Sequence, residues 1–138
     1  MSNADEIRFK QRLQNFEKAM SSLSKACEEK ELSELERAGL IKVFEVAFEL
    51  AWKTLKDLLF YEGYDEKAPR TVLQKSFTAG YLDEETTEVL LDALSKRNLL
   101  SHTYDEATAE EAVELITKHF EPSLRTVLRA LEARRDAS

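Results

Sequence analysis

The stretch Arg97-Asn98-Leu99-Leu100-Ser101-His102-Thr103-Tyr104 holds most of the chemistry this sequence offers. An arginine presents a planar fork of donors that can clamp a phosphate in bidentate fashion. An imidazole titrating near neutral pH moves protons as a general acid or base. Asn98 lies four residues before His102, one helical turn away and on the same face. It can orient the ring or bond to a sugar or phosphate. Tyr104 adds a phenol two residues beyond the histidine. This set suits cleavage of RNA through attack by its own 2′-hydroxyl. The protein then supplies proton transfer and stabilisation of phosphate charge, and the reaction calls for no metal or other cofactor.

Spacing constrains how these groups can meet. Arg97 lies five residues before His102, about 140° around an ideal helix. The two reach one ligand only if the helix ends or distorts there, or if a second subunit completes the site. An Arg-x4-His pair alone is a weak signal. With Asn after the arginine and Tyr two after the histidine, chance agreement falls to the order of one in ten thousand. The bland alternative is an Arg and a His solvated at a helix end. The other histidine, His119, has no acidic or cysteine partner at ligand spacing and reads as structural or exposed.

The elements that must position this stretch are helical. The chain has 138 residues, 43% of them apolar, with 3 Gly and 2 Pro. That is enough apolar material for one core and too little turn material for a β-sandwich. The expected fold is therefore all-α: an up-and-down bundle of four long helices plus one short helix, in a single domain over residues 1–138. The first helix, from about Asp5 to Glu29, carries Phe9, Leu13, Phe16, Met20, Leu23 and Cys27 at alternating spacings of four and three. Ser33 and Glu36 form a capping-box signature for a second helix running to about Glu62, with Gly63 as its stop. That helix is apolar on more than one face, as a central or interface helix would be. Its polar stripe, Lys42, Glu45, Glu49, Lys53 and Lys56, reads as a solvated face or as a wall facing the Arg97–Tyr104 site. Pro69 suits the first turn of a short third helix ending near Gly80. Asp83 caps a fourth, which carries the chemical stretch near its end. Thr108 with Glu111 reads as a capping box for the last helix, and Pro122 should kink or restart it.

Net charge is −7. Nonspecific nucleic-acid binders usually carry the opposite balance, so any RNA contact must be local or depend on a partner. The lone Cys27 excludes an internal disulfide and fits a reducing compartment. No apolar run reaches membrane length, and Met1 to Ala4 lacks the apolar region of a signal peptide. A cytoplasmic protein without membrane contact is expected.

Arg97-x4-His102-x-Tyr104 resembles the motif of HepT-like proteins of the HEPN superfamily. The wider sequence is similar to that superfamily's nucleotidyltransferase substrate-binding branch. The matching stretches are Leu35 to Leu40, Phe44 to Lys53, and Arg97 to Glu106, within a likeness running from about residue 8 to residue 132. The resemblance implies a homodimer with Arg/His sites near the dimer cleft. It also implies a partner, a minimal nucleotidyltransferase encoded nearby. In HepT-type pairs the helical protein is a metal-independent endoribonuclease toxin, and the nucleotidyltransferase is an antitoxin that transfers AMP to the motif tyrosine. Carried over, Arg97 and His102 are the catalytic pair, Asn98 a supporting polar group and Tyr104 the AMPylated residue. Other members of this branch are described as substrate-binding subunits. Two classes of function therefore stay open: an RNase silenced by its partner, and a non-catalytic subunit that binds nucleotide or substrate and presents it to the nucleotidyltransferase.

Overall fold

A computed structural model of the chain describes residues 3–97, 100 and 105–137. The elements are α1 (Asn3–Glu28), α2 (Glu34–Tyr61), α3 (Pro69–Thr78), α4 (Glu84–Ser95), α5 (Glu106–Leu115), a π-helical turn (Ile116–Phe120) and α6 (Glu121–Asp136). Among the described residues there is no strand, and the architecture is the expected all-α bundle.

The four-and-three stripe of α1 is the inner seam: Phe9, Leu13, Phe16, Met20 and Leu23 are all buried. A side chain sealed this way contributes about 1.5–3 kcal/mol through the water it sheds. The stripe meets α2, which also touches α3, α5 and α6. Those contacts explain why α2 is apolar beyond one face. Leu40, Phe44, Ala47, Ala51, Leu55 and Leu59 are buried among its neighbours, with Phe44 stacked on Phe120 at 5.6 Å between ring centroids.

The ends of α2 follow the sequence signals. The Ser33 hydroxyl accepts from the Glu36 N–H at 3.1 Å, and the Glu36 carboxylate accepts from the Ser33 N–H at 2.8 Å. At the other end Gly63 takes φ +100°, where a side chain would be strained. There the Gly63 N–H donates to the Phe60 carbonyl and the Tyr64 N–H to the Leu59 carbonyl, a Schellman closure. Gly80 closes α3 in the same way, at φ +86°.

Two expectations need correction, and a third gains its detail. The fourth helix is not long: α4 has 12 residues and closes at Lys96. The last helix does not open at Thr108 with Glu111. Its N-cap is Asp105, whose carboxylate accepts from the Thr108 N–H at 2.8 Å and the Thr108 hydroxyl at 2.9 Å. A short aspartate side chain reaches that donor readily, so Thr108 becomes the capped residue. The restart expected at Pro122 is found: α6 opens at Glu121, and a π turn stands just before it. Proline has no N–H and crowds the carbonyl four residues back. The ladder widens, and the Glu121 N–H donates to the Ile116 carbonyl five residues back.

Candidate functional site

Arg97 stands just past the end of α4, between two backbone anchors. On one side the Lys96 N–H donates to the Asp92 carbonyl, and the Lys96 ammonium holds both Asp92 oxygens at 2.8 Å. On the other side the Leu100 N–H donates to the Lys96 carbonyl at 3.0 Å, and the Leu100 side chain is 1% exposed. Leu100 therefore ties this corner into the core. The Arg97 side chain is 48% exposed. A guanidinium fixed at its base and open at its tip is free to take a phosphate.

The tip of Arg97 faces α2. Its Nη2 lies 3.9 Å from Glu49 Oε2. The same oxygen accepts from the Trp52 indole N–H at 3.1 Å, while Oε1 pairs with the Lys53 ammonium at 3.2 Å. Partial burial works against the charge on Glu49, but the bonds from Trp52 and Lys53 outweigh it and hold the carboxyl below its usual range. Glu49 is therefore a fixed anion beside Arg97. The polar stripe of α2 is thus partly what each sequence reading expected. Lys42 and Glu45 pair in solvent at 3.8 Å, whereas Glu49 and Lys53 border Arg97. The bond from Trp52 was hidden in the sequence because Trp52 counts as apolar. Its one signal is the three-residue spacing from Glu49, a helical turn.

Beyond the chemical stretch, Asp105 caps α5. Bonds from Thr108 hold the Asp105 carboxyl below the usual aspartate range. Glu106, the first residue of α5, pairs with the Arg37 guanidinium at 3.2 Å, and Arg37 also donates to the Leu32 carbonyl at 2.8 Å. Arg37 therefore links the segment before α2 to the chain just past Tyr104. Nothing local in the sequence marks this link, since the partners are 69 residues apart. Asn98, His102 and Tyr104 lie outside the described residues. His119 is exposed on the π turn, away from Arg97 in sequence and element. No described helix is long and apolar enough to cross a membrane.

Known proteins place this bundle. It is similar to a crystal structure of a protein from Thermus thermophilus, with a TM-score of 0.74 and 27% sequence identity. The match covers 87% of this chain and 98% of that one. Among curated proteins none matches the sequence. A family model described as nucleotidyltransferase substrate binding protein like matches residues 11–133, from the first turns of α1 into the last of α6 and across Arg97. By that match over nearly its whole length, the chain belongs to the nucleotidyltransferase substrate binding protein-like family.

Proposed function

We propose that this chain is the helical partner subunit of a separately encoded nucleotidyltransferase and, within that pair, a metal-independent endoribonuclease switched off by AMP on Tyr104. The family match over residues 11–133 carries the partner role. The open guanidinium of Arg97 supports the catalytic part. Arg97 binds the scissile phosphate and offsets its growing charge. His102 takes the proton of the attacking RNA 2′-hydroxyl or gives one to the departing 5′-oxygen, and Asn98 steadies the ring or the sugar. The new P–O bond closes a 2′,3′-cyclic phosphate as the bond to the 5′-oxygen breaks. Glu49 keeps Arg97 at the site when RNA is absent, through a long, exposed and therefore easily exchanged ion pair.

The switch is a group transfer. The Tyr104 phenol oxygen, losing its proton, attacks the α-phosphorus of ATP on the partner enzyme, and pyrophosphate leaves. The AMP phosphate, now tethered near Arg97, occupies the clamp an RNA phosphate needs. The expected cellular setting is the cytoplasm.

The proposed assembly is a homodimer. Leu35, Ala38, Gly39, Lys42 and Val46 run along one face of α2 toward Glu49. Leu35 is 82% exposed and Val46 45% exposed, and a side chain at Gly39 would meet nothing within 4 Å. A second copy laid on this face would border Arg97. Light scattering should give twice the chain mass, and Val46→Glu should shift it to the monomer. A wild-type monomer at micromolar concentration contradicts the dimer.

The alternative, a non-catalytic substrate-presenting subunit, draws on the family description and on the net charge of −7, which disfavours RNA. Co-expression with the neighbouring nucleotidyltransferase tests the pair. The two chains should co-purify, and intact mass should rise by one or more AMP units on the peptide holding Tyr104. Tyr104→Phe should abolish the rise and leave RNA cleavage intact. Co-purification without modification, in the presence of ATP and an active partner, supports the presenting subunit instead.

A further inference from the structure

A cavity of about 620 Å³ opens where the turn between α1 and α2 meets α5 and the π turn. Its floor includes Cys27, Leu32 and Val113, and its rim carries Glu29, Glu31 and Glu110. Three cations also line it, but two are already committed. Lys118 holds Glu114 at 2.7 Å, and Arg37 holds Glu106 and the Leu32 carbonyl. Among the described residues, Glu29, Glu31 and Glu110 have no ion-pair partner, and Lys30 is the one uncommitted cation of this lining. The cavity therefore offers a partly apolar floor under a rim with excess negative charge.

We infer that this cavity is the docking site for a basic segment of the partner nucleotidyltransferase, a Lys or Arg flanked by an apolar side chain. The inference rests on the partner reading above and adds where the partner binds. Charge complementarity selects the occupant. An anionic ligand or a nucleic-acid backbone would meet three carboxylates against one uncommitted lysine, whereas a basic side chain gains partners from the excess. The volume suits a few side chains. The location also has a consequence for the site. Arg37 runs from this cavity to Glu106, the residue that starts α5 immediately beyond the chemical stretch. A partner seated here presses on the anchor of the segment that holds Tyr104.

The test uses the co-expressed complex and the triple variant Glu29→Lys, Glu31→Lys, Glu110→Lys. All three residues are exposed, so circular dichroism and melting temperature should stay near wild type. The affinity for the nucleotidyltransferase should fall at least tenfold. The control variant Asp65→Lys, Glu85→Lys, Glu88→Lys makes the same charge change at exposed positions elsewhere and should bind as wild type. Cys27, the sole cysteine of this chain, supplies a second readout. Burial pushes its thiol up, so it should react slowly with a disulfide reagent in the free protein and more slowly still in the complex. Affinity within twofold of wild type in the folded triple variant, with Cys27 reactivity unchanged by the partner, overturns the docking site. Failure of the wild-type chains to associate removes the partner reading itself, which is a different result.

Discussion

The α1–α2 pair and the corner from α4 to α5 are built on opposite plans. In the pair, two helices of 26 and 28 residues share a continuous apolar seam, and α2 is closed by a capping box at one end and a Schellman turn at the other. At the corner, a 12-residue helix stops at Lys96 and a 10-residue helix starts at Glu106. Among the described residues there, Arg97, Asp105 and Glu106 are exposed, and Leu100 is buried in the core. The difference shows how a small bundle can carry an exposed side chain beside a rigid core. Stability sits in long-range apolar packing, while Arg97 is held by its backbone neighbours and one weak ion pair.

Truncation in the two regions should separate these plans most sharply. Phe16→Ala removes a fully buried ring from the seam and should cost about 3–5 kcal/mol by urea unfolding. Leu100→Ala, the corner's anchor, should cost about 2–3 kcal/mol and loosen the segment it holds, seen as faster amide exchange there. A Leu100 loss near zero would mean the corner is not tied to the core in this way.

The helix caps contribute on a smaller scale. Asp105→Ala should lower the melting temperature by a few degrees, because the Thr108 N–H loses its acceptor. The aspartate is held below its usual range in the folded chain. Its contribution is therefore present above the unfolded value near pH 4 and is lost as pH falls below that. Asp105→Asn should keep the cap and flatten this part of the acid limb. An unchanged acid limb in that variant would remove Asp105 from the account.

The two regions also differ in how far the sequence revealed them. The α1 stripe, the Ser33–Glu36 box, Gly63 and the Asp83 cap all depend on residues within a turn or two of one another; all are found, with Cys27 at the end of the stripe half-buried and Asp83 accepting from the Thr86 N–H at 2.7 Å. The Asp105 cap was misread because Thr108 and Glu111 have the same local spacing as a capping box. Only the path of the chain decides which side chain reaches the free N–H. The π turn was half legible, since Pro122 marks a fault without saying how the ladder accommodates it. The setting of Arg97 was the least legible part. Its carboxylate neighbour comes from α2, 48 residues earlier in the chain, and the Arg37–Glu106 link spans still more. Such pairs are fixed by how helices cross, which no local pattern encodes. Asn98, His102 and Tyr104 were read from their residue types and spacing, and their roles are proposals.

Arg97 itself should give the smallest stability effect. An exposed side chain with one ion pair at 3.9 Å should be removable at a cost within about 0.5 kcal/mol. That makes Arg97→Ala a clean probe of function. The decisive measurement is cleavage of RNA by the purified chain, free of its partner, with and without a metal chelator, beside Arg97→Ala and His102→Ala. Wild-type cleavage should survive chelation and leave 2′,3′-cyclic phosphate ends. Each variant should lower the rate by roughly 10²-fold or more while melting like wild type. Intact RNA with wild-type protein free of AMP, or full activity in the folded Arg97→Ala variant, contradicts the proposed RNase activity.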